Sequence, residues 1–170
     1  MVLVPATLED MKRYREWATR PEATYFWGPR EGEWTDESLE ERFRHVAADP
    51  GGIHWSIQVD GRSIGSTGVY GIDWIARQGE SYIIIGEHGL YRRGIASESI
   101  RLRTDFAFRE LNLHRVYNWI VYDNVGSRRA NEKAGYREQG RMPQAFRRGS
   151  ARHDEWLGEI TRADYELIAK

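Results

Sequence analysis

The chain has 170 residues, the size of one domain, and 25 Lys and Arg residues against 26 Asp and Glu residues leave a formal charge of -1. This balance argues against a nucleic-acid or membrane partner that is attracted by overall charge. Cysteine is absent, which excludes disulfides, thiolate nucleophiles and cysteine-type zinc sites. No apolar run approaches the roughly 18 residues of a membrane span, and no signal peptide is recognisable. We expect one cytoplasmic domain covering residues 1–170, without a metal site.

The first third of the chain is predicted to form one strand and two helices. The apolar segment Val2–Val4 favours a short strand. Thr7, followed by acidic residues, is typical of a helix start, and this helix should run to about Thr19. A second helix is predicted to begin at Thr35 and to end at the Asp-Pro-Gly-Gly sequence 49–52.

The middle of the chain has the pattern of strands. Apolar and polar residues alternate over 53–59, which is typical of a half-buried strand. Asp60-Gly61 is a strong hairpin signal, and residues 62–70 should return as the partner strand. The apolar run 81–85 indicates a strand covered on both faces.

The rest of the chain continues as alternating helices and strands. A helix is predicted directly after Gly94, a strand over 116–122 and a short helix over 126–134. Two last strands are predicted over 136–142 and 154–160. The order of elements indicates a single α/β or α+β domain.

The segment from Ile83 to Arg103 carries the strongest chemical signal. An apolar strand enters a glycine-containing turn that opens directly into a helix. Such a turn directs several backbone N–H groups and the positive end of the helix dipole at one point, and Arg92 and Arg93 add positive charge. The spacing fits neither the Walker A motif nor the dinucleotide fingerprint. The segment therefore suits a phosphate or pyrophosphate, with an ordinary tight turn as the alternative.

A second segment extends this signal to a family resemblance. The sequence Arg92–Ala96 is followed by Asn124-x-x-Ser127 and then by Glu132-Lys133-x-Gly135-Tyr136. This combination resembles the GNAT superfamily of N-acetyltransferases, most closely its ribosomal-protein-alanine and spermidine acetyltransferase-like branch. The likeness covers nearly the whole chain in the same order. It implies one domain with a mixed sheet of six or seven strands, splayed between the fourth and fifth, and about four helices.

The resemblance also implies the reaction and its cosubstrate, acetyl-CoA. A primary amine would attack the acetyl group directly in a ternary complex. The pantetheine arm would pair with the backbone of the fourth strand, the pyrophosphate would bind the turn amides, and two asparagines would contact the pantetheine and adenosine portions. The implied cofactor-binding residues are Ile83, Ile84, Ile85, Tyr91, Arg92, Arg93, Gly94, Ile95, Ala96, Ser97, Asn124 and Asn131.

Two residues are candidates for proton transfer. Glu80 matches a strand carboxylate that several family members use as the base, and its alternative is a solvated glutamate at a strand end. Glu87, at the other end of the strand, is a weaker candidate. Many members carry a tyrosine as the acid where this chain has Asn131. The resemblance to the ribosomal-protein branch implies Ser127 as the acid instead, with a helix-cap hydroxyl as the alternative.

The connection between the first two helices is the candidate acceptor site. Trp27, Glu31, Glu33 and Trp34 would suit a cationic or ring-bearing amine. The alternatives are lid packing for the tryptophans and first-turn helix charges for the glutamates. The implied acceptor is a protein N-terminus or a small amine such as an antibiotic, polyamine or amino sugar.

Other function classes remain as alternatives to the enzyme. The missing tyrosine at Asn131 would fit a non-catalytic module that binds or senses acyl-CoA. RNA binding would need a salt-dependent electrostatic affinity that the balanced charge does not support. A homodimer paired through exposed strands or the last hairpin is compatible with the sequence.

Overall fold

The computed structural model describes residues 1–20, 24–26 and 34–168. Three of the predicted acceptor residues, Trp27, Glu31 and Glu33, lie outside the described residues. The strands are β1 Val2–Pro5, β2 Ile53–Val59, β3 Arg62–Asp73, β4 Gln78–Ile85, β5 Arg115–Val121, β6 Arg137–Arg148 and β7 Ala151–Thr161. The helices are α1 Leu8–Ala18, α2 Asp36–Ala48, α3 Ile95–Arg109, α4 Val125–Lys133 and α5 Arg162–Ile168, with a short 3-10 helix at His88–Leu90. Within these described ranges, no helix is both long and apolar enough to cross a membrane.

All seven strands form one sheet in the order β1-β2-β3-β4-β5-β7-β6. Neighbouring strands are antiparallel except β4 and β5, which run parallel. These two strands pair only where Gln78–Glu80 faces Arg115–Tyr117. The later residues of the two strands do not pair with each other, and residues of both strands line one cavity. This mixed sheet, open between its fourth and fifth strands, confirms the predicted architecture.

The helices begin where the sequence supplies a cap, with one exception. Thr7 caps α1 in a reciprocal capping box with Asp10, and Thr35 caps α2. Asn124 caps α4 by accepting a hydrogen bond from the Ser127 N–H. The cap position of α3 is Gly94, which makes no side-chain cap hydrogen bond. The first-turn amides of α3 are therefore left without the side-chain acceptor that caps α1, α2 and α4.

The core packs α3, α4 and α5 against one face of the sheet. Its buried members include Val69, Ile100, Phe108, Leu113, Val116, Tyr136, Trp156 and Ile160. On the other face, Trp17 of α1 is buried and lies flat against the backbone of Gly86. A Cβ at position 86 would lie 1.9 Å from Cδ2 of Trp17, so only glycine permits this close approach.

A buried arginine connects α3 to the centre of the sheet. Arg103 is 0% exposed and donates from Nη1 to the Tyr82 carbonyl at 2.7 Å and to the Thr67 hydroxyl at 3.0 Å. Its Nη2 donates to the hydroxyl of Tyr136 at 3.2 Å. Within the described part of the chain, none of its hydrogen-bond acceptors is a carboxylate. The buried guanidinium charge is therefore stabilised by hydrogen bonds to neutral groups and not by an ion pair.

The C-terminal elements differ from their predicted bounds. Strands β6 and β7 are longer than the predicted 136–142 and 154–160, and β6 continues past the predicted end through a register shift between Met142 and Phe146. Gln144, inside this irregularity, has a φ of 55°. Helix α5 was not predicted and brings the described helices to five rather than about four. Its seven residues carry little periodic signal, although Thr161 and Asp164 form a local capping interaction at its start.

Candidate active site

The turn between β4 and α3 forms the first part of the site. It passes through the 3-10 helix, then Arg92 with a φ of 64° and Gly94 with a φ of 82°, and α3 starts at the next residue. The hydroxyl of Tyr91 donates to the Ile85 carbonyl at 3.0 Å, which fastens the turn to the end of β4. Arg92 and Arg93 are exposed beside the uncapped amides. This arrangement can hold an anionic phosphate group.

The opening between β4 and β5 forms the second part, a cavity of 270 Å³ that we call the central cleft. Its lining includes the predicted catalytic residues Glu80 and Ser127. Four of the predicted cofactor-binding residues also line it, namely Ile83, Ile84, Asn124 and Asn131. Lining residues that the sequence analysis did not single out are Phe26, Tyr70, Ser81, Tyr82, Asn118, Trp119, Ile120, Val121, Phe146 and Glu155.

A chain of asparagine hydrogen bonds supports the β5 side of the cleft. Asn118 Nδ2 donates to Asn131 Oδ1 at 2.8 Å, and Asn131 Nδ2 donates to the Ser127 carbonyl at 2.9 Å. Asn131 is 1% exposed, and its side-chain donor and acceptor are both used inside the protein. Oδ1 of Asn118 is buried and has no partner in the described part of the chain. That oxygen can accept a hydrogen bond from a ligand N–H.

The structure also shows what caps α4. Asn124 Oδ1 accepts the Ser127 N–H at 3.1 Å, so Asn124 provides the cap and Ser127 is the third residue of the helix. The alternative reading of Ser127 as the cap hydroxyl is therefore wrong. Ser127 is one of the residues that line the central cleft.

Two carboxylates face the same cleft. Glu80 on β4 accepts a short hydrogen bond from the hydroxyl of Tyr70 on β3. Glu155 lies on β7, opposite Val121 of β5. Burial raises the pKa of the Glu155 carboxyl, and the negative charge of Glu80 raises it further. The weaker sequence candidate Glu87 lies away from the cleft and pairs with Arg62 at 3.0 Å.

A second cavity of 410 Å³, the α1–α2 cavity, lies between these helices and strands β2 to β4. Its walls are mostly aromatic and apolar and include Tyr14, Trp17, Phe43, Val46 and Ile84, with Asp10, Arg42 and His54 as polar members. Tyr70 and Tyr82 line both cavities. Burial raises the pKa of Tyr82 to about 12, and its hydroxyl lies 3.0 Å from His54 Nδ1. Tyr82 is therefore a neutral hydroxyl between the two spaces at physiological pH.

Of the described residues in the predicted acceptor loop, only some line the central cleft or the α1–α2 cavity. Trp34 lies against Tyr14, with ring centroids 5.7 Å apart, and under the guanidinium of Arg42, but it lines neither cavity. Phe26 reaches the central cleft. Its neighbour Tyr25 is held by Arg148 of β6 through a hydrogen bond of 3.0 Å to its hydroxyl and a cation–π contact. The loop is thus joined to the last hairpin at the edge of the cleft.

Comparison with known proteins identifies the family. Residues 1–137 match the acetyltransferase (GNAT) domain family. The chain belongs to this family of acetyl-CoA-dependent N-acetyltransferases. The match confirms the family resemblance, the enzyme class and the cosubstrate predicted from the sequence. No cluster of three or more potential metal ligands occurs in the ranges that the structure describes.

The individual relatives differ in how much of the chain they cover. YjcK of Bacillus subtilis, named a probable N-acetyltransferase, is 46% identical over 48 residues, which are 28% of this chain and 26% of that protein. YdaF of the same organism, a candidate ribosomal N-acetyltransferase, is 29% identical over 133 residues, 72% of each chain. The Vibrio cholerae spermidine N-acetyltransferase, solved with CoA and spermine, superposes with a TM-score of 0.87 at 22% identity and 97% coverage of both chains. This last likeness is one of fold.

The cleft residues that escaped sequence reasoning include three polar ones that bear on the chemistry. Tyr70, Asn118 and Glu155 lie on three different strands and converge only through the sheet order. Period-two alternation could have placed Asn118 on the same face of its strand as the buried Val116 and Ile120. Glu155 adjoins Asp154 and lacks any comparable local signal.

Proposed function

We propose that this protein transfers the acetyl group of acetyl-CoA to a primary amine by direct attack in a ternary complex. The observation that supports this best is the convergence of Glu80 and Ser127 on one cleft between β4 and β5. The cleft lies beside the strand that leads into the uncapped N-terminus of α3. A carboxylate, a hydroxyl and an anion-binding turn are the groups that amine acetylation by a phosphate-bearing thioester requires.

The same residues suggest how acetyl-CoA would bind. The pyrophosphate would bind the turn amides from Arg92 to Ser97, with the two arginines nearby. The pantetheine arm would lie between the splayed strands and pair with the backbone of Ile83–Ile85. The free Oδ1 of Asn118 would accept a hydrogen bond from a pantetheine amide. Asn124 and Asn131 would act indirectly, because their side chains hold α4 in place.

The chemical step needs three proton transfers. The acceptor amine arrives as an ammonium and first loses one proton to the carboxylate base of the cleft. Glu80 is part of this base. The neutral nitrogen then forms a bond to the thioester carbonyl carbon. The carbon–sulfur bond breaks, its electron pair leaves on sulfur, and the Ser127 hydroxyl supplies a proton to that sulfur. The nitrogen loses its second proton, which restores the serine hydroxyl through solvent.

The acceptor would enter from the α1–α2 cavity. The aromatic walls of this cavity favour an amine with an apolar or ring-bearing body, and Asp10 supplies negative charge. Both a protein N-terminus and a small amine, such as an antibiotic, a polyamine or an amino sugar, meet this description. A cytoplasmic location and a homodimer belong to the proposal as expectations from the sequence.

Calorimetry and turnover would test the function. Isothermal titration with acetyl-CoA would be followed by assay of free thiol against pooled ribosomal peptides, polyamines, aminoglycosides, peptide antibiotics and amino sugars. We expect binding and amine-dependent release of thiol. Binding without thiol from any pool would favour a sensing module, and absence of binding would refute the proposed cosubstrate site.

A further inference from the structure

The central cleft holds one carboxylate more than the proposed reaction has used. Glu155 is half-buried and lines the cleft together with Glu80. The two side chains come from β7 and β4, strands that lie on opposite sides of β5 in the sheet. Burial raises the pKa of the Glu155 carboxyl, and the negative charge of Glu80 raises it further. Two like charges in one partly desolvated space are unfavourable unless a proton or a cation joins them.

We propose that Glu155 receives the proton of the acceptor ammonium, and that Glu80 is its negatively charged neighbour. This inference rests on the proposed function and deepens it by dividing the base role between two residues. The proton passes from the ammonium nitrogen to a carboxylate oxygen of Glu155, which becomes neutral. The nitrogen keeps its electron pair for attack on the thioester carbon. After product release the proton leaves Glu155 for solvent.

Hydrogen bonding distinguishes the two carboxylates. Glu80 already accepts a hydrogen bond from Tyr70, which occupies one of its oxygens. No hydrogen bond or ion pair reaches the Glu155 carboxylate from the described residues. Glu155 therefore has both oxygens available for an ammonium, whereas Glu80 is held in a fixed orientation beside it.

Among the residues that the structure describes, the positively charged groups nearest to Glu155 along β6 and β7 are already paired with other carboxylates. Next to it on β7, Asp154 is bound by Arg141 of β6 at 2.6 Å, and His153 is bound to Asp123 at 3.1 Å. The same cleft is also lined by Glu80 and Tyr82 of β4, Tyr70 of β3, Ser127 of α4, Val121 of β5 and Phe146 of β6.

These surroundings strengthen Glu155 as a base. Burial and the charge of Glu80 both raise its pKa, which brings it closer to the pH at which the enzyme works. Glu80 thereby contributes without touching the transferred proton. Glu155 is the catalytic residue in this arrangement and Glu80 a positioning residue.

The test compares Glu155→Gln with Glu80→Gln, using the amine that the pooled screen identifies. Glu155→Gln should lower kcat/KM by roughly 10²-fold or more and abolish the acidic limb of its pH profile. Its affinity for acetyl-CoA should stay unchanged. Glu80→Gln should keep an acidic limb, moved to lower pH because the neighbouring charge is gone. Glu138→Gln, at an exposed position on β6, is the matched control and should match wild type.

Two further measurements separate the possible failures. Glu155→Asp retains a carboxylate and should recover part of the activity. Carbon-detected NMR of the Glu155 carboxyl in the free protein should show titration above the ordinary glutamate range, shifted down in Glu80→Gln. A wild-type acidic limb in Glu155→Gln, or its loss in Glu80→Gln, would overturn the assignment. A wild-type protein without turnover would refute the proposed function, and the NMR titration would still decide whether the two carboxyls are coupled.

Discussion

Nδ2 of Asn118 on β5 donates a hydrogen bond to Oδ1 of Asn131 on α4, 2.8 Å away, and joins the wall of the central cleft to the helix beside it. Both side chains are buried, at 5% and 1% exposure. Asn131 also donates a hydrogen bond to the carbonyl of Ser127, so the position of the first turn of α4 depends on the pair of asparagines.

Asn131→Leu should lower the free energy of unfolding by about 1–3 kcal/mol, because the Asn118 amide keeps only a longer 3.5 Å hydrogen bond to the Ser81 hydroxyl and the Ser127 carbonyl loses its side-chain donor. Urea unfolding would measure the loss. Asn118→Leu combined with Asn131→Leu removes both polar partners, so the double variant should lose less than the sum of the single losses. Strict additivity would contradict the pairing.

Gly94→Glu should abolish acetyl-CoA binding, since it puts a negative charge where the pyrophosphate is proposed to lie. Gly94→Ala is the matched control, because its backbone has the same φ of 82° and its Cβ meets nothing within 4 Å. Both variants carry a similar backbone strain of about 1–2 kcal/mol. Calorimetry should find most of the affinity in Gly94→Ala, and equal affinities in the two variants would refute the site.

Ser127→Ala should reduce kcat by roughly 10²-fold, the usual contribution of a general acid, while acetyl-CoA affinity stays nearly constant. Stability should also stay constant, because Asn124 supplies the helix cap. Asn124→Ala provides the comparison and should lose about 1 kcal/mol of stability. Parallel loss of affinity and turnover in Ser127→Ala would instead indicate a structural role.

The raised pKa of Glu155 predicts a pH-dependent stability. A carboxyl whose pKa is higher in the folded state contributes most to the free energy of unfolding at pH values below the ordinary glutamate pKa of 4.5. This stabilisation is lost as the pH rises through the pKa of the folded state. Glu155→Gln should therefore raise Tm at neutral pH, with the gain disappearing below pH 4.5. A gain that persists unchanged in acid would contradict this electrostatic origin.

Arg103 offers a contrast between charge and volume. Arg103→Met removes the buried charge but keeps a side chain of similar length. The former hydrogen-bond acceptors of Arg103 keep other partners, because Thr67 still donates to the Tyr82 carbonyl and Thr104 still contacts the Tyr136 hydroxyl. The stability of Arg103→Met should stay within about 1 kcal/mol of wild type. Arg103→Ala should lose about 2–5 kcal/mol through the cavity that it leaves. Equal losses in the two variants would show that the guanidinium hydrogen bonds dominate.

The features that the sequence predicted correctly are local ones. Thr7 and Thr35 cap their helices through residues three positions away, and α3 begins directly after Gly94, where the sequence predicted a helix start. Such signals lie within a few neighbouring residues and need no knowledge of the fold. The splayed sheet was predicted only through the family resemblance.

The features that were missed depend on the fold. Glu155 meets Glu80 across 75 positions of sequence, and only the order of β4, β5 and β7 brings them into one cleft. Tyr70 reaches Glu80 through the antiparallel register of β3 and β4. Polar residues at such positions look like ordinary strand polarity until the neighbouring strands are known.

The flat contact between Trp17 and Gly86 has a consequence for how this enzyme could diversify. Trp17 is part of the wall of the α1–α2 cavity, while Gly86 directly follows β4, at the start of the turn that is proposed to bind phosphate. A new acceptor preference could arise through Tyr14 or Phe43 without disturbing that turn. A change at Trp17 would instead remove the surface on which Gly86 rests. Adaptation of acceptor choice is therefore expected to spare this tryptophan and to use its neighbours.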